Sequence, residues 1–177
     1  MRSFFYLILL GVILATIAIV VRSGMLMRDN PGEPINAAMR IALADQERPW
    51  PERDQIVIAQ RFPGALETED GLRYIVTRPG VGDATPKRGQ LVSVNYSGTF
   101  IDGTKFDDSA DHGGPFNFVV GENKVIAGWD AALLTMKKGE RRTLIIPYWL
   151  AYGPKGVRGK IAPQATLIFD IELLDFN

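Results

Sequence analysis

The 177-residue chain contains no cysteine. Disulfides, thiolate nucleophiles and zinc sites built on sulfur are therefore excluded, although the absence does not identify a compartment. Histidine is almost as scarce: His112 stands alone in the polar loop Asp111-His112-Gly113-Gly114. One imidazole and no thiolate give a transition metal too few good ligands, and a Ser-His-Asp triad would have to be built on that single loop residue. An excess of charge is missing too, since 20 Lys and Arg balance 20 Asp and Glu. No long-range field draws in a polyanion, so nucleic acid is not an expected partner.

Two motifs that look functional fail on spacing. Asp102, Asp107, Asp108 and Asp111 suggest calcium, but Phe106 interrupts them and the alternating pattern of a calcium loop is absent. The stretch Gly153-Pro154-Lys155-Gly156-Val157-Arg158-Gly159-Lys160 resembles a phosphate loop. However, Pro154 sits where the leading glycine belongs, and Ile161 replaces the hydroxyl residue after the lysine. The sequence therefore calls for no metal and no cofactor. Internal repeats and low-complexity tracts are also lacking.

What is present begins with an uncharged apolar run at 4–21, flanked by Arg2 and Arg22. At ~1.5 Å per residue it would make about 27 Å of helix, near the thickness of a thin hydrocarbon core. It lacks the polar face of a soluble core helix. A cleaved signal would need small residues before a cut, and Thr16-Ile17-Ala18, the nearest candidate, lies inside the run. An uncleaved signal-anchor over 1–22 is the favoured reading, with the rest of the chain on the outer, extracytoplasmic side. If the run is instead removed, the protein is secreted or periplasmic. Breakers then make residues 22–34 a tether. A short helix is expected over 35–46, and a second after Pro51 covering 54–61 with Ile56 and Ala59 inward, closed by Pro63-Gly64. Residues 23–65 thus read as a linker with short helices, packed on the domain or on a partner.

From Leu72 the rhythm becomes that of strands. In 91–100, Val92, Val94, Tyr96 and Phe100 share one face, while Ser93, Asn95 and Ser97 share the other. Asp102-Gly103 supplies a turn. Phe116, Phe118 and Val120 alternate; Ile126, Trp129, Leu133 and Met136 then fall on one helical stripe, ended by Gly139. Strands at 141–146 and 165–174 complete the set. Hairpin order with one helix, and no strand-helix-strand repetition, predicts an α+β fold: an antiparallel sheet wrapped on one short helix.

Aromatics stand at positions that core packing alone could explain. In combination with their neighbours, they resemble the FKBP family of peptidyl-prolyl cis-trans isomerases. The resemblance is carried by Val94-Asn95-Tyr96-Ser97-Gly98, Asp102-Gly103-Thr104-Lys105-Phe106-Asp107-Asp108-Ser109, Pro115-Phe116-Asn117-Phe118, Val125-Ile126-Ala127-Gly128-Trp129, Ala151-Tyr152-Gly153 and the segment 165–174. It implies an FKBP-like domain over 66–177, a curved sheet around one helix with an apolar pocket between them. By the same resemblance, Asp107, Tyr152, Trp129 and Phe106 carry the reaction, and Tyr96, Phe116, Val125, Ile126, Ile161 and Phe169 bind substrate. Proline-containing polypeptides are the implied clients, and a macrolide is an implied pocket ligand. Val157, Arg158, Lys160 and Ala127 depart from better-known members, as does Tyr148-Trp149-Leu150. Those rim changes leave open a weakly active holdase or proline-binding module. A third reading, docking on another envelope protein, rests on Trp50 and Trp149 looking exposed.

Overall fold

The computed structural model describes residues 50–177. The expected anchor at 4–21, the tether at 22–34 and the helix at 35–46 lie outside the described residues. Among those described, no helix is long and apolar enough to cross a membrane.

The described chain runs through helix α1 (Glu52–Arg61) and strands β1 (Leu66–Glu67), β2 (Arg73–Arg78), β3 (Leu91–Phe100), β4 (Lys105–Asp108) and β5 (Phe116–Val119). Helix α2 (Ala127–Leu133) and strands β6 (Arg141–Ile146) and β7 (Leu167–Phe176) follow. The strands form one antiparallel sheet in the order β1-β2-β6-β7-β3-β4, and β5 also pairs with β3. β3 is the organising strand. One edge pairs with β7 along nearly its full length; the other is shared, with Leu91 to Val94 opposite β5 and Ser97 to Thr99 opposite β4. Register shifts at Ser93/Val94 against β7 and at Gly98/Thr99 against β4 mark irregularities of the kind that bend a sheet. The expected α+β architecture is thus present, with α1 as a second helix.

The alternation in β3 and β7 places Val92, Val94, Leu167, Phe169, Ile171 and Leu173 in the main core beneath α2, with Trp129, Ala132 and Leu133 of the helix. Gly128 lets α2 lie flat on β6: a Cβ there would sit 2.6 Å from Ile146 Cγ2. The helix is shorter than its apolar stripe predicts. It ends at Leu133, and Met136 is held beyond it by a tight turn in which its N–H donates to the Leu133 carbonyl. Gly139, expected to cap the helix, instead serves the turn into β6 with φ 76°.

The opposite face of the sheet carries a smaller core made by the segment before β1. Trp50 and Ile58 pack on Ile145 of β6 and Ile168 of β7. Residues 50–62 therefore pack on the domain, the choice left open by the sequence. α1 buries Ile58 and Asp54, while Ile56, expected inward, is 61 % exposed. Its neighbours Val57 and Ile58 are also apolar, so the sequence defines no unique stripe there; contact with the sheet does. Trp50 is 7 % exposed and Trp149 half-buried against it, which removes the exposed-tryptophan basis for docking elsewhere.

Candidate active site

Between the sheet and the entry to α2 lies a crevice of about 230 Å³. Four elements of the sheet send aromatic side chains into it: Tyr96 from β3, Phe106 from β4, Phe116 from β5 and Phe169 from β7. Trp129 of α2 forms the floor and is only 5 % exposed, with its ring centroid 4.9 Å from that of Tyr96 and 5.1 Å from that of Phe169. Both pairs meet edge to face, the arrangement that ring quadrupoles favour. Exposure rises toward the mouth, where Phe116 is 42 % and Tyr152 44 % exposed. The result is a slot walled by aromatic rings, with an open lip.

Gly98 makes this geometry possible. Paired opposite Phe169 and Asp107, it leaves room for the Phe106 and Phe169 rings to meet edge to face at 5.5 Å. A Cβ on Gly98 would lie 2.7 Å from Phe169 Cε1 and 2.9 Å from Phe106 Cζ. A glycine inside a strand marks such close approaches.

One polar cluster stands at the mouth. The Tyr96 hydroxyl donates to Asp107 Oδ2 at 2.9 Å, while Asp107 Oδ1 accepts from the Asp108 N–H at 3.0 Å and lies 2.7 Å from His112 Nε2. Burial is the strongest influence on Asp107 and pushes its pKa up. The hydrogen bonds of His112, Tyr96 and the Asp108 amide together outweigh it, holding the carboxyl below its ordinary value. Burial, then the hydrogen bond to Asp107, pushes the Tyr96 phenol well above its usual range. Tyr152 is raised by burial and then by the charge of Asp107. Both phenols therefore stay protonated and can donate at neutral pH. Below, Ser109 Oγ accepts from the Tyr96 N–H and donates to the Tyr96 carbonyl, fixing the start of the β4–β5 connection to β3.

A larger hollow of about 600 Å³ is lined by Asn95, Ser97, Asp108, Arg141, Asp170 and others, and Tyr96 is the one aromatic residue in its wall. It has no set of facing aromatic rings to enclose a prolyl ring, whereas the smaller crevice does, so the smaller crevice is the chemically suited one.

The sequence model described as FKBP-type peptidyl-prolyl cis-trans isomerase matches residues 82–174. The chain is 48 % identical over 109 residues to "FK506-binding protein 1" of Candida glabrata, covering 62 % of this chain and 96 % of that protein. It is 48 % identical over 99 residues to "FK506-binding protein 1" of Saccharomyces cerevisiae, covering 56 % and 87 %. It is 46 % identical over 104 residues to "Peptidyl-prolyl cis-trans isomerase Fkbp12" of Drosophila melanogaster, covering 59 % and 96 %. The chain belongs to the FKBP-type peptidyl-prolyl cis-trans isomerase family.

In this FKBP-type isomerase the structure gathers Tyr96, Phe106, Asp107, Phe116, Val125, Ile126, Trp129, Tyr152 and Phe169 around one crevice. Ile161 is not among them. It is 8 % exposed and packs in the main core, with its N–H and carbonyl paired to Val157. The loop folds back on itself there, with Gly156 (φ 63°) against the Ile161 and Ala162 carbonyls, and this draws the side chain inward. Lys124 lines the crevice instead. Sequence reasoning also passed over Asp130. This buried residue of α2 accepts from the Gly121 N–H at 2.8 Å and the Asn123 N–H at 3.0 Å, and so ties down the loop that presents Lys124, Val125 and Ile126. A carboxylate beside Trp129 on an otherwise apolar helix was the available signal.

Proposed function

We propose that this isomerase accelerates X-Pro rotation without covalent chemistry, by holding the prolyl ring in the aromatic crevice and favouring the twisted amide. The supporting observation is the graded slot itself: a buried Trp129 floor under a half-open lip of Phe116 and Tyr152. Rotation is opposed by a barrier of about 20 kcal/mol because the planar amide has partial double-bond character. At the twisted geometry that resonance is lost and the group becomes less dipolar. Water prefers the planar form; a crevice walled by Phe116, Phe169, Val125 and Ile126 withholds that preference. Seating three ring methylenes contributes roughly 2 kcal/mol, but it does so equally for both geometries and lowers KM alone. Rate comes only from what differs between them, and each ~1.4 kcal/mol of difference is a factor of ten.

The Tyr152 hydroxyl is protonated and free at the lip to donate to the client's carbonyl. Asp107 holds the Tyr96 phenol in place and sets the local field. Phe106 backs Phe169. A macrolide that fills the same slot would compete with the client, as the names of the FK506-binding relatives suggest for them. The apolar run at 4–21 supports a membrane-anchored enzyme acting on extracytoplasmic clients. Two measurements test the reading. The full chain should isomerise a chromogenic proline peptide and lose that activity to the macrolide; keeping an unfolded client soluble without isomerising the peptide would instead make it a holdase. Retention through carbonate extraction, with a mature mass that includes residues 1–22, would support the anchor; a shorter mature chain would refute it.

A further inference from the structure

Trp149 links the segment before β2 to the lip of the crevice. It lies in the 3-10 turn Tyr148–Leu150 that follows β6, and three contacts clamp its indole. Its Nε1–H donates to the Asp70 carbonyl at 3.0 Å. Its ring meets that of Trp50 edge on, with centroids 5.6 Å apart. Gly71, at φ 88°, presses flat on it: a Cβ there would sit 3.0 Å from Trp149 Cζ2. Trp50 is fixed in turn by burial beside Ile58, Ile145 and Ile168 and by the Arg73 guanidinium 5.0 Å over its ring. Trp50, Asp70 and Gly71 all precede the family-matching stretch 82–174.

The turn that carries Trp149 also sets Tyr152. The N–H groups of Ala151 and Gly153, on either side of Tyr152, both donate to the Tyr148 carbonyl, at 3.1 and 2.7 Å. Tyr152 is thus suspended from the residue next to the clamped indole. Half-exposed and with no side-chain hydrogen bond among the described residues, it depends on this backbone for its place at the lip.

We propose that residues 50–72 act as a strap on the back of the sheet and that Trp149 is a positioning residue, transmitting the strap's rigidity to Tyr152. The strap gives the lip an order that the loop's own glycines, Gly153, Gly156 and Gly159, would not supply. The catalytic consequence rests on the reading that Tyr152 meets the client, whereas the ordering of the loop does not.

The full-length chain is compared with Trp50→Ala, which removes the aromatic contact, and with Trp149→Phe, which keeps the edge contact but deletes the N–H to Asp70. Met136→Ala takes apolar bulk from the main core and leaves the strap and both indoles untouched. Amide exchange at Ala151 and Gly153 should rise about tenfold in both tryptophan variants, with β3 and β7 unchanged. kcat/KM for a proline peptide should fall roughly threefold to tenfold. Met136→Ala should lower the melting temperature yet keep wild-type exchange at Gly153 and wild-type kcat/KM. Wild-type exchange at Gly153 in the tryptophan variants would overturn the strap, and so would an equal rise in Met136→Ala. Should Trp50→Ala fail to fold, Trp149→Phe alone carries the test. Tyr152→Ala separates the two readings: a wild-type rate there refutes the role of Tyr152, while the exchange arm still decides the strap.

Discussion

The Tyr96 hydroxyl and Asp107 Oδ2 meet at 2.9 Å across the mouth of the crevice, joining β3 to β4 through side chains as well as through the ladder. The bond keeps a carboxylate beside an aromatic slot without letting it turn inward. Asp107 is held below its ordinary pKa by its partners. A carboxyl with a lowered folded pKa contributes stability that is complete above its unfolded value, about 4, and is lost as pH falls through the folded value. Melting temperature measured between about pH 2 and 6 should therefore drop on the acid side. In Asp107→Asn that acid limb should flatten and kcat/KM should fall several-fold. An unchanged acid limb would show that the pair does not contribute.

Gly98→Ala should damage the site out of proportion to its size. The added methyl meets two ring carbons below 3 Å, so Phe106 and Phe169 must part. Overpacking of this kind costs about 1–3 kcal/mol. Denaturant titration should report that loss, and kcat/KM should fall with it. A wild-type rate would mean that the crevice tolerates displacement of its back wall.

Trp129→Phe keeps an aromatic floor but lowers it, and removes an indole N–H that has no acceptor among the described residues. Far-UV circular dichroism should stay unchanged while kcat/KM drops at least severalfold. Phe106→Leu should behave similarly and more mildly. Isomerase assays at matched folded fraction check both.

Asp130→Ala frees the Gly121 and Asn123 amides; the buried Gly121 N–H left unpaired costs about 1–3 kcal/mol, while that of the exposed Asn123 can turn to water. Because these amides anchor the loop carrying Val125 and Ile126, KM should rise more than kcat falls. Asp130→Asn, which keeps an acceptor oxygen, should recover part of the effect. Equal losses in both variants would point to global destabilisation instead.

How much of this was legible beforehand depended on pattern and contact. β3 and the later part of β7 alternate because one face is sealed by α2, so their core residues could be read directly, whereas Ile168, buried on the other face, could not. β6 could be bounded by Gly139 and Pro147, but Leu144-Ile145-Ile146 carries no alternation, and the burial of both its faces was hidden. The end of α2 was misread because Met136 continues the helical spacing through a turn that is no longer α-helical. α1 was placed correctly but turned the wrong way, since Ile56, Val57 and Ile58 offer three faces and Trp50, remote in pattern, selects one. At the site, nine of the ten residues carried by the family resemblance converge on the crevice, while Ile161 does not. Its direction is set by the backbone of a folded-back loop, which no side-chain motif reports. Asp130 and Lys124 went unnoticed because their roles arise from a loop closing on a helix.

The small core behind the sheet has a practical bearing on where this enzyme can be cut. Ile145 and Ile168 are 0 % and 5 % exposed with Trp50 and Ile58 over them. A fragment starting after Gly64 would keep every wall of the reaction chamber yet bare a greasy stripe across its two central strands. Such a surface invites self-association, so low yield or turbidity from that fragment would reflect its missing cover and not a faulty catalyst.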